Sequence, residues 1–236
     1  MIKKAVIASK LSEPVTTFLG NSGYDIITFC NNPAVDRRVA HHADLSFFFD
    51  GIDTLFIANE MSDYTEKLNK YCKNIVVINK KLRKEYPGDV LLNCVCIGKN
   101  FICNPETVSE EIFDKMKRNG YNIISVKQGY TKCSVVPVND DAIITDDESV
   151  YTECVRAGLD VLKISKGSVV LPGFEYGFIG GASGKISHNE IIFNGDITRH
   201  PDYKNIELFL KKYNVNIVSF SGNLEDIGSI IPIGGL

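Results

Sequence analysis

The chain of 236 residues has no tryptophan, three methionines and four histidines, and none of its apolar runs is long. No stretch approaches the ~20 apolar residues that cross a bilayer, so no membrane partner is expected. The basic pair Lys3-Lys4 is followed only by Ala5-Val6-Ile7-Ala8, too short for the roughly 7–15-residue apolar core of a secretory signal. A block of one charge is also missing. The 26 Lys and Arg are mixed with 29 Asp and Glu, for a net charge of −3. Without a basic stripe the electrostatic drive for nucleic-acid binding is lacking, and no such partner is expected. The seven cysteines are odd in number and have no framework spacing. Cys94 and Cys96 form Cys-x-Cys, not Cys-x-x-Cys, which excludes ribbon zinc and thioredoxin motifs. Such thiols suit a reducing compartment, and a cytoplasmic location is expected. Nothing fixes the oligomeric state.

What the chain does have is a repeat. Five β-branched runs open on Asp or Asn: Asp25-Ile-Ile-Thr-Phe, Asn74-Ile-Val-Val-Ile, Asn122-Ile-Ile-Ser-Val, Asp160-Val-Leu-Lys-Ile and Asn216-Ile-Val-Ser-Phe. Each follows a helical stretch, as when a helix end feeds a buried strand. Ahead of each helix lies another apolar run: Ala5-Val-Ile-Ala-Ser, Thr54-Leu-Phe-Ile-Ala-Asn, Phe101-Ile-Cys-Asn, Ala142-Ile-Ile-Thr-Asp and Ile191-Ile-Phe-Asn-Gly. Helix starts are expected at Asn104-Pro105-Glu106 and Asp146-Asp147-Glu148, where a capping side chain precedes Pro or Glu. A further strand is expected before the second run at 44–49, 90–97, 132–138 and 178–186. It is joined to that run by short turns such as Asp50-Gly51 and Gly98-Lys99-Asn100.

The unit is therefore strand, hairpin, strand, helix, strand. In the fifth copy the first strand is the C-terminal segment 226–233 and the remainder is the N-terminal segment from about Ala5 to Cys30. Pairing the two ends removes a free sheet edge. The expected fold class is an α/β, five-fold pseudo-symmetric propeller, one domain over 1–236. An open doubly wound sheet is the competing architecture, but hairpin strands do not suit a parallel sheet.

A circle of five such units resembles the pentein superfamily, which includes guanidine-modifying deiminases, hydrolases and amidinotransferases and the non-catalytic ribosome anti-association factor. The segment 132–146, beginning Lys132-Cys-Ser-Val-Val-Pro, resembles a hairpin of that factor. Gly177-Phe-Ile-Gly-Gly-Ala-Ser-Gly-Lys, with Phe193-Asn-Gly-Asp-Ile and His200-Pro-Asp, resembles an uncharacterised bacterial pentein-related family. For a pentein hydrolase the resemblance implies a His after a glycine run in the fourth repeat and a nucleophilic Cys near the C-terminus. Here Ser183 follows Ile179-Gly180-Gly181-Ala182, the last run reads Ile233-Gly-Gly-Leu, and no Cys follows Cys154. The usual mechanism of a thiolate with a His acid–base does not transfer position for position.

The resemblance implies that first strands line a central channel. Its expected polar contacts are Asp44, Asn93, Lys132, Cys133, Gly180, Gly181, Ser183, Asp226 and Ser229, and Asp196 is a further carboxylate. They would hold a small polar ligand, guanidino- or amino-acid-like; a macromolecular partner on an outer face is the alternative. Cys133 is either a buried, inert thiol or, by elimination, the candidate nucleophile. Neighbouring strand residues face opposite ways, so Lys132 would support it only across a bulge. The glycine run lacks the Walker pattern; it either cradles an anion or admits another backbone or a ligand. His41-His42-Ala43-Asp44 and His200-Pro201-Asp202 lack metal-ligand spacing, and Asp202 is expected to cap a helix. No cofactor or metal is expected.

Overall fold

The computed structural model describes residues 4–234, so Lys3 of the basic pair and the final Gly235-Leu236 lie outside the described residues. Strands β1 (Ala5–Ile7) and β2 (Asp25–Ile27) flank helix α1 (Glu13–Asn21). Next come β3 (Phe47–Phe49), β4 (Thr54–Ile57), the short α2 (Thr65–Leu68) and β5 (Asn74–Val77). The following unit is β6 (Val95–Ile97), β7 (Asn100–Cys103), α3 (Glu110–Arg118) and β8 (Asn122–Ser125). A helical turn α4 (Thr131–Ser134) leads into β9 (Val135–Pro137), β10 (Ala142–Thr145), α5 (Glu148–Arg156) and β11 (Asp160–Lys163). The last unit is β12 (Ser183–Ser187), β13 (Glu190–Phe193), α6 (Tyr203–Lys212) and β14 (Asn216–Val218), after which β15 (Ile231–Ile233) follows.

These strands form five three-stranded sheets with one plan. In each, the middle strand is antiparallel to the first and parallel to the third. β15 supplies the first strand for β1, with Ala5 opposite Ile233. The five third strands begin at the polar residues Asp25, Asn74, Asn122, Asp160 and Asn216. Each donates its N–H to the carbonyl just ahead of its middle strand or in the hairpin turn: Lys4, Asp53, Lys99, Asp141 and Asn189. That backbone bond fixes the parallel register after every helix.

The middle strands carry apolar residues on both faces, as parallel pairing with covered faces demands. Ala142 and Ile144 enter a core with Ile191 and Phe193, whereas Ile143 between them packs with Ile102 and Ile124. Ile192 packs with Val6 and Val15, and Phe101 packs with Phe48 and Phe56. Period-two alternation thus divides each central strand between two neighbours.

Helix α5 begins where the sequence places it. The Asp147 carboxylate accepts from the N–H groups of Ser149 and Val150 at 2.9 and 3.1 Å. Asp147→Ala is expected to lower stability by about 1 kcal/mol, read as a lower denaturation midpoint. Helix α3 starts later than the Asn104 signal. Asn104 spends its side chain and carbonyl on a local turn, accepting from Glu106 N–H and from Thr107 and Val108. The helix is capped instead by Ser109, whose Oγ accepts from Ile112 N–H at 3.4 Å.

The expected first strands are too long at their beginnings. Only 47–49, 95–97, 135–137, 183–187 and 231–233 are ladder-paired. The residues ahead of them turn: 43–45 form a 3-10 turn, 131–134 a helical turn, and Asn93 N–H closes back on Val90. The ladder stops because the middle strand ends there, and the next polar groups find partners in other units instead.

Candidate functional site

The turns ahead of all five first strands meet at one place. The Asp44 carboxylate accepts from Ser229 Oγ at 2.6 Å and from Cys133 Sγ at 3.2 Å. Asn93 braces the same point. Its Oδ1 accepts from the N–H groups of Lys132 and Cys133, and its Nδ2 donates to Asp44 O and Cys133 Sγ, both at 3.2 Å. Lys132 Nζ donates to Ser229 Oγ at 2.9 Å and reaches Gly180 O at 3.5 Å. A chain Lys132–Ser229–Asp44–Cys133 therefore links an amine, a hydroxyl, a carboxylate and a thiol. Asp226 is tied separately, accepting from Phe178 N–H and Gly228 N–H, each at 2.9 Å.

The glycine run explains itself at this junction. A Cβ on Gly180 would lie 2.4–2.6 Å from the carbonyls of Lys132, Val135 and Cys133, and one on Gly181 would lie 2.1–2.5 Å from the Asp226 carboxylate. Gly177 meets Asp226 Cβ at 2.6 Å, and Gly228, at φ +76°, meets His42 at 2.2 Å. These glycines let backbone and carboxylate close in. The N–H groups of Gly177, Gly181 and Gly228 serve the protein rather than an anion, donating to Val169 O, Cys133 O and Asp226 Oδ1.

Beside the junction lies a cavity of about 310 Å³, lined among others by Cys133, His42, Asp226, Tyr130, Phe178 and Glu175. His42 is 3% exposed, with Nδ1 3.7 Å from Asp226 Oδ1 and Nε2 buried without a hydrogen-bond partner among the described residues. Burial pushes the His42 pKa down to about 4, against the pull of Asp44, so its ring is neutral at pH 7. Burial likewise raises Asp44, and raises Asp226 to about 6 despite its two backbone donors. Burial, then the charges of Asp44 and Asp226, drives the Cys133 thiol well above its ordinary value. Desolvation lowers the Lys132 amine, with Asp44, Cys133 and Asp226 holding it back up. The site is short of positive charge. The wall is aromatic: Tyr130 stacks on Phe178 with centroids 6.1 Å apart, and its hydroxyl donates to Asp89.

Asp44, Asn93, Lys132, Cys133, Gly180, Gly181, Asp226 and Ser229 all belong to this junction. Ser183 lies at its edge, passing Ile230 N–H to its carbonyl and its own Oγ to Gly180 O. Lys132 and Cys133 do not sit on opposite faces of a strand: the helical turn brings both to Asn93 Oδ1. Asp196 is elsewhere, capping the turn at Thr198. Asp202 stands at the α6 N-cap position but accepts from Ser165 N–H instead of the helix. His42 was legible only as part of a histidine pair. His41 and His42 stack edge to face at 4.7 Å, and the short step from His42 to Asp44 is the one signal that it shares Asp44's turn.

Solved structures share this fold. A dimethylarginine dimethylaminohydrolase adduct with 4-chloro-2-hydroxymethylpyridine superposes with a TM-score of 0.55 at 10% identity, covering 94% of this chain and 93% of that one. The same enzyme from Pseudomonas aeruginosa, complexed with citrulline, gives 0.53 at 10% identity, covering 93% of each chain. An amidinotransferase of the saxitoxin biosynthetic pathway from Microseira wollei gives 0.54 at 12% identity, over 87% of this chain and 72% of that one. The mixed α/β fold with five small sheets matches theirs. Residues 6–231 match the family of unknown function DUF6873, and the chain belongs to that family. No curated protein matches it by sequence.

Proposed function

We propose that the chain is one domain of five ββαβ units closed into a propeller, whose cavity binds a small guanidinium- or amidinium-bearing molecule and directs Cys133 at its central carbon. The β1–β15 pairing and the sharing of each central strand between two neighbours support the closed ring. One observation carries the chemistry. Cys133, His42 and Asp226 line a single cavity, and the buried His42 Nε2 has no hydrogen-bond partner among the described residues.

Burial and two carboxylates, Asp44 and Asp226, oppose ionisation of the thiol. A planar cation entering beside Asp226 and the aromatic wall neutralises them and lets the thiolate form. Cys133 Sγ then bonds to the guanidino carbon and a C–N bond breaks. The departing amine leaves with the thiol's proton, carried by His42 Nε2. Water, or a second amine, cleaves the S–C bond and returns a proton to the thiol. Asp44 and Asn93 hold the sulfur in place. The cavity volume of about 310 Å³ suits a ligand of this size.

The reading is tested with two alkylators that differ in charge, 2-chloroacetamidine and neutral 2-chloroacetamide, with labelled sites mapped by peptide mass spectrometry. Exposed Cys30 supplies the intrinsic ratio of the two reagents. At Cys133 the amidine is expected to gain at least about tenfold over that ratio, and Asp226→Asn to remove the gain. Labelling of Cys30 without Cys133 by both reagents would sink the proposal.

A further inference from the structure

The turns ahead of the first strands build the cavity above; the first strands themselves build a second one. It has a volume of about 140 Å³ and is walled by Phe47, Phe48, Val95 and Ile231. Each first strand adds one half-buried residue to it: Phe49, Cys96, Pro137, Lys185 and Pro232. Lys132 also lines this cavity, so the pocket is apolar except for two amines.

The charge balance is the reverse of the first cavity. Among the described residues no carboxylate lines it. Asp44, behind Lys132, is engaged by Ser229 and Cys133, and Asp50 accepts from the N–H groups of 52–54. Lys132 Nζ has two protein acceptors, Ser229 Oγ and Gly180 O; Lys185 Nζ also has two, the carbonyls of Val138 and His188. An ammonium has three protons, so one on each amine has no acceptor among the described residues. The Lys185 partners are carbonyls, and Asp140, whose charge also acts on this amine, lies outside the cavity lining.

From this arrangement we infer a second ligand site, for a small monoanion with an apolar body such as an aromatic or short aliphatic carboxylate. The apolar walls would strip water from a bare inorganic ion and return no donors. A carboxylate head placed against either amine leaves its hydrocarbon facing the apolar lining of Phe47, Val95 and Ile231. A space of about 150 Å³ takes a benzene-sized body. The inference does not need the thiol chemistry: Lys132 also belongs to the Cys133 junction, but Lys185 does not, and the test is built on Lys185.

Benzoate is the probe, and benzyl alcohol is its neutral counterpart. Titration calorimetry on the whole chain is expected to show benzoate binding at least about tenfold tighter than benzyl alcohol. Lys185→Met should remove that preference, and Lys185→Arg, which keeps the charge, should retain it. Should Lys185→Met fail to fold, a crystal structure of the unaltered protein with benzoate decides. A carboxylate within hydrogen-bond reach of Lys185 or Lys132 Nζ supports the site. No binding at millimolar benzoate, equal affinity for the alcohol, or benzoate seated against Asp226 would each overturn it.

Discussion

Gly181→Ala is expected to lower stability by about 3 kcal/mol, among the largest effects of any single methyl group in this chain. The added Cβ would lie 2.1 Å from Asp226 Oδ1 and 2.3 Å from its Cγ. Neither side has room to move. Asp226 is 1% exposed and pinned by Phe178 and Gly228 N–H. Gly181 donates to Cys133 O, and its carbonyl accepts from Ser229 at 2.7 Å and Ile227 at 3.2 Å. Relief of the clash breaks one of these sets and disturbs the site with it. Gly20→Ala is the control. Gly20 lies in helix α1 with nothing within 4 Å of its Cβ position, and the change should stabilise by about 0.5 kcal/mol. Urea denaturation of both variants checks the pair. A Gly181→Ala protein as stable as the parent would refute the close approach.

Lys132→Met is expected to destabilise by about 3 kcal/mol at pH 8 but only about 1 kcal/mol at pH 5. Lys132 is the cation that opposes the raised pKa of Asp44 and of Asp226. The sign follows from proton binding. Asp226 titrates near 6 in the folded chain, above its ordinary value, so the folded state holds a proton the unfolded chain has lost. Stability from such a group is full below the unfolded pKa and is lost as pH rises through the folded one. Removing Lys132 raises both carboxylates further and extends that loss above pH 6. Denaturation midpoints at the two pH values measure it. Equal losses at both would mean that the Lys132 stem, not its charge, supports the fold.

Much of the architecture was legible because it rests on local chemistry. The five third strands start at the polar residues that open each β-branched run, since those residues carry the N–H that sets the parallel register. Asp147 capped its helix as its position before Glu148 suggests. Ser109 displaced Asn104 because Asn104 satisfied its own turn first, a competition between neighbours that pattern alone does not resolve. The runs 90–97 and 132–138 look continuous in apolar content, yet half of each leaves the sheet where the middle strand ends.

The sequence by itself marked the β-branched runs that open the third strands of five small sheets, and it singled out Asp44, Asn93, Lys132, Cys133, Gly180, Gly181 and Asp226 as residues to follow. Only the tertiary structure decided what they do to one another. Residues up to 185 positions apart, Asp44 and Ser229, meet within a hydrogen bond. No local propensity encodes which of five turns faces which. It also brought His42 to Asp226 and Cys133 and separated Asp196 from them. The pKa shifts of Asp44, Cys133 and Asp226 come first from burial, which belongs to the folded packing and not to any stretch of chain.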